Sequence, residues 1–480
     1  MAPARPALVW LRQDLRLQDN PALSAAVSSG RPIMPVFVLA EGAASRPLGG
    51  AARWWLDKSL RRLGESFRRR GSRLILRRGD PVLQILSLAQ EVGAELICWN
   101  RLYDPASVER AAVIKRALAE SGVEARSFNG ALLNEPWTVR TGGGGSFKVF
   151  TAYWRAAKPQ VSAELATPPS EFSAPMVWPG SDALDDWRLH PTDPDWSAGF
   201  AGWTPGETGA MARLTQFLGS GLDGYDQRRN QPALDVGSRL SPHLHWGEIS
   251  PRQVWRLAHE YGGRDPRLAG DLDKFLSELG WREFNHQLLF NLPDLSRVNV
   301  RAEFDRFPWR SDRAGLRAWR RGVTGYPLVD AGMRELWATG FMHNRVRMVA
   351  ASFLIKHLLV DWRDGEAWLW DTLVDADLAN NAANWQWTAG SGADAAPFFR
   401  IFNPVAQGER FDPDGAYVRR WIPELAQLPK AHVHAPWTAP PEILARAGVA
   451  LGRDYPHPIV DHAAARERAL AAFRSLRADN

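Results

Sequence analysis

Between Met342 and Trp387 the chain reads MHNRVRMVAASFLIKHLLVDWRDGEAWLWDTLVDADLANNAANWQW. Residue types able to pass single electrons and to hold a polar heterocycle are gathered in that one stretch. Tryptophan is the most easily oxidised common side chain, so Trp362 and Trp385, with Trp309 upstream, read as a path for single electrons toward a buried acceptor. Asp375 and Asp377, near Asn380 and Asn381, supply polar groups beside it, and Arg347 could make the acidic pair tolerable inside the protein as a buried salt bridge. The competing explanation is packing, because the chain holds 23 tryptophans and large aromatics dominate buried area.

Three more clusters lie upstream or alongside. GYDQRRN running into GSRLSPHLHWGE contains Tyr225, Arg228, Arg229, Ser238, Arg239 and Ser241. A serine-rich turn opening a helix offers hydroxyls and free backbone N–H groups, which suit a diphosphate; a capped helix start accounts for the same residues without a ligand. His243 and His245 lack a third ligand at metal spacing. In ELGWREFNHQLL, Glu278, Trp281, Arg282 and Asn285 share a helix face. Carboxylate, indole, guanidinium and amide together suit a flat heterocycle with a stacking face and a polar edge, and an ion-paired helix with a core tryptophan fits equally. Asn344 and Met348 are four apart with Arg347 beside them, an amide next to a flexible thioether.

The elements that must position these groups follow from the rest of the chain. Its 480 residues, 45% apolar, allow roughly two to four domains and a large core. A net charge of +6 and a pI near 9.6 fit a polyanionic partner. Only seven of the 59 basic residues are lysines; arginine suits bidentate phosphate contacts and stacking on bases, although a GC-rich genome produces the same bias. Cys98 is the only cysteine, which excludes an intrachain disulfide and indicates a reducing compartment. The opening MAPARPALVW lacks a signal-peptide layout, and no stretch approaches the roughly 18 uninterrupted apolar residues of a membrane span. A cytoplasmic protein without membrane attachment is expected.

Apolar runs at 7–11, 33–39, 73–76, 95–99 and, more weakly, 124–128 alternate with helix-patterned segments at 21–28, 51–70, 81–91 and 107–121. That alternation predicts an α/β domain over 1–132, a doubly wound parallel sheet of five strands. Residues 133–205, rich in Gly and Pro, read as a long ordered linker whose Trp178, Trp187, Trp196 and Trp203 hold it against a surface. Residues 206–480 read as a larger all-α domain, with apolar positions at helical spacing in Phe275, Leu279, Phe284 and Leu288. Ser241-Pro242 and Ser250-Pro251 predict capping hydroxyls before a first-turn proline, and Ser250 with Gln253 a capping box.

The segments LVWLRQDLRLQDNPAL, GSRLSPHL, ELGWREF, TGYPLVDAGMREL, MHNRVRM, DADLANNAANWQW and DAAPFFRIFNPVAQGERFDPDGAYVRRWIPEL, in this order, resemble the photolyase and cryptochrome family. Within it the resemblance is closest to bacterial class I cyclobutane pyrimidine dimer photolyases. It implies FAD in the helical domain, with Tyr225, Ser238, Arg239, Leu240 and Ser241 around its phosphates and ribityl chain. Arg347 and Asp375 would pair beside the isoalloxazine, Ala376 and Asp377 would meet its edge, Asn381 would face N5, and Trp281 and Asn344 would line the same site. Trp385, Trp362 and Trp309 would photoreduce the flavin. The implied activity is light-driven repair of pyrimidine dimers in UV-damaged DNA, by electron transfer from excited reduced FAD, in a monomeric protein. Glu278 would bond a dimer base, Trp281, Arg282, Asn285, Asn344, Met348 and Trp387 would surround the lesion, and Arg229 and Arg345 would bind DNA.

Two alternatives come with the resemblance. A cryptochrome-type photoreceptor typically adds a C-terminal extension, whereas this chain ends soon after the family region; a (6-4) photolyase leans on two histidines near MHNRVRM, where Asn344 and Met348 stand and His343 is one position off. Gly237 replaces a Thr common in relatives, Gly280 and Asn285 replace bulkier residues, and Ala382, Ala383 and Asn384 replace a more Gly-rich run. WNRLYDP (Trp99 to Pro105) resembles the region that holds a second, antenna chromophore, with Ala106 and Ser107 where some folate-binding relatives carry Asn and Glu. Folate, a deazaflavin, another flavin or none stays open there.

Overall fold

The computed structural model describes residues 5–42, 46–394 and 399–478; residues 395–398 of the DAAPFFRIF segment lie outside it. The five apolar runs form strands β1 (Ala7–Leu11), β2 (Ile33–Ala40), β3 (Ile75–Gly79), β4 (Leu96–Asn100) and β5 (Glu124–Phe128) of one parallel sheet, ordered β3-β2-β1-β4-β5. Central β1 is buried at all its positions, as a strand covered on both faces must be. The connecting helices are α1 (Pro21–Ser28), α2 (Gly50–Arg68), α3 (Pro81–Glu91) and α4 (Pro105–Glu120). Three of them begin alike: Asn20, Asp80 and Asp104 accept from backbone N–H groups of the first turn, and a proline follows each.

β3 lies two residues later than the 73–76 run predicts. Its pairing runs from Val36 opposite Ile75 to Ala40 opposite Gly79 and so includes Arg77 and Arg78. An edge strand tolerates such residues because one side faces water, and Arg77 reaches Glu91 at 2.8 Å. The strand order reverses between β1 and β4, where Asn100 Nδ2 donates to Asp14 Oδ2 (2.7 Å) and Asn20 Oδ1 (2.8 Å) in a buried polar network.

The 133–205 stretch carries α5 (Phe150–Ala157) and several short turns. Three of its indoles are packed: Trp187 is buried with Nε1 donating to Asp182, Trp178 lies under Arg73 at 5.0 Å, and Trp203 meets Trp55 edge-on at 5.4 Å. Helices follow to the end of the described chain: α6 (Glu207–Gln216), α7 (Tyr225–Arg228), α8 (Ser241–His245), α9 (Pro251–Gly262), α10 (Ala269–Asn291), α11 (Arg313–Arg321), α12 (Pro327–Thr339), α13 (Asn344–Ser352), α14 (Trp362–Thr372), α15 (Leu378–Ala389), α16 (Pro404–Phe411), α17 (Ala416–Trp421), α18 (Pro441–Arg446) and α19 (His462–Ala478). The Ser250–Gln253 capping box forms as predicted. Ser241 does not cap α8. Arg239 adopts a left-handed conformation (φ 50°) and turns the chain one residue early, so Leu240 occupies the cap position and Ser241 begins the helix.

By packing, the chain divides into two compact units. One comprises Met1–Ser197, Ala201–Asp223 and Ser238–Pro293; the other comprises Ala198–Phe200, Gly224–Gly237 and Asp294–Asn480. The boundaries at 132 and 205 mark where element type changes, whereas α8 to α10 pack with the sheet. Arg16 donates to the Gly247 carbonyl, Ser250 Oγ to Asp19, and Glu283 of α10 receives the N–H groups of Leu133 (2.8 Å) and Asn134 (3.1 Å).

Glu283 is fully buried, and that burial pushes its carboxyl up to about 7 against the opposing pull of Arg282 and the two N–H groups. Glu283→Ala, which leaves both N–H groups without their acceptor, should cost about 2–4 kcal/mol in denaturant unfolding. Glu283→Gln keeps an acceptor oxygen. The folded state holds the Glu283 proton up to about pH 7 while the unfolded chain has released it, so wild type should lose stability as pH rises from about 4.5 to about 7, and the Gln variant should lose less.

Candidate active site

The second unit brings the opening cluster together around the turns joining α12 to α15. Gly340 ends α12 in the left-handed region (φ 67°), and a Cβ there would collide with Val374, so the turn before α15 can lie directly against it. Arg347 of α13 then reaches across. Its Nε donates to the Met342 carbonyl (2.8 Å), and its Nη2 to both carboxylate oxygens of Asp375 (3.1 and 2.9 Å). Asp375 and Ala376 are buried, so the predicted ion pair exists and is shielded from water on its acidic side.

Asp377 caps α15, accepting from the backbone N–H (2.8 Å) and side-chain Nδ2 (2.7 Å) of Asn380. One residue on, Asn381 is buried and its Nδ2 donates to the Glu366 carbonyl (3.1 Å) and to Glu366 Oε1 (2.8 Å). Two acceptors on one side fix which end of the amide faces them. The Asn381 carbonyl oxygen therefore points the other way, and it meets no donor among the described residues. A flavin bearing hydrogen at N5 has the donor this oxygen lacks, so the residues present fit that group. Glu366 escaped sequence reasoning, because it lies on α14, fifteen positions from its partner.

Trp385 of α15 packs over Gly365 of α14, where any Cβ would strike its ring. Trp362 and Trp385 are buried in one apolar core, and Trp309, partly buried, packs against that core and against the Phe304–Phe307–Phe399 cluster. The three indoles thus share a continuous apolar medium, and Trp319 joins them 6.3 Å from Trp385. Trp387, two residues beyond Trp385, is half-buried.

The start of α13 presents a cationic surface. Asn344 is exposed, with Met348 half-buried one turn along. Arg345 donates to Asn230 Oδ1 (2.7 Å) and lies 4.5 Å over the Phe411 ring, which Arg410 also approaches at 5.0 Å. Burial, together with Arg229, Arg410 and Arg400, pulls the Arg345 guanidinium below its ordinary value. Arg229 in turn sits 5.5 Å over Tyr225, which is buried on α7. Arg400 and Arg410 extend the set beyond Arg229 and Arg345. His343 is committed to structure: its Nδ1 accepts the Arg345 N–H that opens α13 (3.2 Å), and burial reinforced by Arg345 and Arg347 pulls the imidazole down to about 4.

The first unit holds the remaining residues. Ser238 Oγ accepts from Leu240 N (3.4 Å) in the turn before α8, where Arg239 is half-buried, Leu240 buried and Ser241 exposed. A Cβ at Gly237, which belongs to the second unit, would meet open space, so the glycine reflects no packing demand. On α10, Glu278 is 31% exposed with Lys274 at 3.7 Å. Arg282 is turned inward, to the Ala131 carbonyl (2.8 Å) and Glu283 (3.4 Å), and Asn285 is buried. Trp281 stacks on Phe150 with centroids 3.8 Å apart and planes 10° from parallel, which uses one of its faces. Gly280 lets Trp154 approach where a Cβ would collide with its ring. The WNRLYDP segment is largely structural: Trp99 is buried, Tyr103 bonds Asn129 and Glu135, Arg101 pairs with Glu135, and Asp104 caps α4.

Arg347→Met, which removes the guanidinium that meets both oxygens of buried Asp375, should cost about 3 kcal/mol in chemical unfolding. Between its ordinary value of 6.5 and about 4, His343 takes up a proton only in the unfolded chain, so acidification through that window should lower stability by on the order of 2–3 kcal/mol. His343→Asn, which retains a capping oxygen, should flatten that loss in thermal unfolding followed against pH.

Among the described residues no helix is long and apolar enough to cross a membrane, and no group of His, Cys, Asp and Glu could hold a metal. A family model described as the FAD binding domain of DNA photolyase matches residues 275–475, and one described as DNA photolyase matches residues 7–171. A deoxyribodipyrimidine photo-lyase from Agrobacterium fabrum is 52% identical over 98% of each chain. Cryptochrome-2 of Arabidopsis thaliana is 38% identical over 98% of this chain and 79% of its own. The crystal structure of a bacterial class III photolyase from Agrobacterium tumefaciens superposes with a TM-score of 0.95 at 51% identity, covering 99% of this chain and 98% of that one. The class named there is III, where the motifs suggest class I. The chain belongs to the DNA photolyase family, which includes the cryptochromes, and its cofactor is FAD.

Proposed function

We propose that this protein uses light to split cyclobutane pyrimidine dimers in DNA, a lyase reaction in which the reduced flavin, when bound, supplies the light-absorbing one-electron donor. The observation that carries this reading is the Asn381 amide of the second unit, oriented by Glu366 so that its acceptor oxygen meets no donor among the described residues. Such an acceptor favours the N5-protonated, reduced cofactor. Ser238 to Ser241, with Tyr225, would bind its phosphates and ribityl chain, and Asp377 and Ala376 its ring edge. Trp309, Trp362 and Trp385 would deliver electrons that restore the reduced state.

Photolyases as a class take the target nucleotide out of the stack. The arginines at 229, 345, 400 and 410 suit the phosphates on either side of such a nucleotide, since Arg345 is surrounded by cations. Glu278 would bond a base edge, and Trp281, Asn344, Met348 and Trp387 would surround the lesion. The state of His343 favours cyclobutane dimers over (6-4) photoproducts. It is neutral near pH 7, capping α13 and unsuited to give up a proton, and Asn344 and Met348 are not acids.

The test is to illuminate the chemically reduced holoprotein with blue light in the presence of a thymine-dimer oligonucleotide and to measure restored thymine. Dimer loss that requires light is expected. Bound flavin and DNA affinity without repair would favour the photoreceptor activity of the cryptochrome relatives. Glu278→Ala should lower repair by about ten-fold or more while FAD is retained; release of FAD would reassign that carboxylate. Trp309→Phe should slow photoreduction of the oxidised flavin, and pre-reduced enzyme carrying it should still repair.

A further inference from the structure

Trp362 is met by an amide at its N–H and a guanidinium over its ring, and the types of these groups matter beyond packing. Its indole Nε1 donates to Asn299 Oδ1 at 2.9 Å, and both residues are buried. The amide is held that way round because Asn299 Nδ2 donates to the Asp305 carboxylate at 2.6 Å. A flipped amide would set two donors against each other and an oxygen against a carboxylate. Gln386 pins the loop that carries Asn299, donating to the Leu295 and Val298 carbonyls (2.7 and 2.8 Å) and accepting from Val300 N (2.9 Å). Over the ring lies the Arg363 guanidinium, 4.7 Å from its centroid, itself held by the Arg297 carbonyl (2.7 Å) and Asp361 (3.0 Å).

These neighbours acquire a function when the ring changes charge. A guanidinium is attracted to the face of a neutral indole and repelled by one that has lost an electron. An oxidised indole is also a strong N–H acid. A carboxylate, an imidazole or a water would take its proton and trap the oxidation there as a neutral radical, whereas an amide oxygen accepts the hydrogen bond without taking the proton.

We propose that Asn299 and Arg363 make Trp362 a transit position in the electron path. The ring gives one electron to oxidised Trp385, keeps its N–H proton, and is returned to neutrality by one electron from Trp309. One electron enters, one leaves, and no proton moves at Trp362. Asn299 denies the oxidation a resting place, and Arg363 disfavours the cation on Trp362 so that it passes on. Asp305 and Gln386 are positioning residues for the amide. The inference rests on the electron path of the proposed function.

Flash-induced absorption of the holoprotein with oxidised flavin tests it, because neutral and cationic indole radicals absorb at different wavelengths. Asn299→Asp combined with Asp305→Asn, which exchanges amide and carboxylate and sets a base on the indole N–H, should produce the neutral radical, a solvent deuterium effect, and about a ten-fold or greater fall in photoreduction yield. Arg363→Gln, at a residue 35% exposed, should lengthen the life of the Trp362 cation by about ten-fold, and Arg363→Lys should restore the original kinetics. If Trp362→Phe blocks photoreduction while the Asp and Gln variants both match wild type, the inference fails and the path stands. If Trp362→Phe leaves photoreduction intact, the path fails and takes the inference with it.

Discussion

The Arg347–Asp375 pair is the constraint around which the second unit is arranged. A carboxylate this deeply buried is costly without a partner, and Arg347 satisfies both of its oxygens while also holding the Met342 carbonyl. Three pieces of chain are thereby tied at one point: the turn after α12, the first turns of α13, and the turn leading into α15. Asp377 and Asn381 follow within two helical turns of that point, and Trp385 one turn further on. Their positions are consequences of the staple as much as of their own packing.

Beyond it, amide side chains do much of the orienting. Asn381 is turned by Glu366, Asn299 by Asp305, and Gln386 by three backbone groups and Ser391. A buried amide cannot leave its donor or acceptor end unmatched without loss, so each neighbour determines what the opposite end offers. For Asn381 the opposite end is an acceptor without a donor among the described residues, and for Asn299 it is the acceptor that meets Trp362. Polar specificity beside Asn381 and Asn299 is obtained in this way through neutral amides, and the charge next to the Trp362 ring is that of Arg363. Further charge is placed at Arg229, Arg345, Arg400 and Arg410, where mutual repulsion suits an anionic partner.

The candidate site was only partly legible in the sequence. Arg347 with Asp375, and the tryptophans at 362 and 385, were visible because they fall in one short stretch. Glu366, Asn299 and Arg363 were not, because their roles depend on contacts across helices and loops that no helical or strand period encodes. The α10 face shows the limit of periodicity. Glu278, Trp281, Arg282 and Asn285 do lie on one helix, yet Arg282 turns to the Ala131 carbonyl and Trp281 lays one face on Phe150, a residue 131 positions earlier in the chain. The shift of β3 into Arg77 and Arg78 has a similar origin, since register with β2 outweighed the local apolar run.

What the sequence by itself determined is the set of local choices: five apolar runs alternating with capped helices, the Ser250–Gln253 box, and the residue types able to meet a flavin and carry electrons. These depend on neighbours within about four positions, so the order of residues along the chain suffices to state them. Tertiary structure alone decided the strand order, the grouping of α8 to α10 with the sheet, which face of Asn381 is left open, and what surrounds Trp362. Those outcomes rest on hydrogen bonds and ion pairs between residues far apart in the chain, whose meeting is set by how the elements pack.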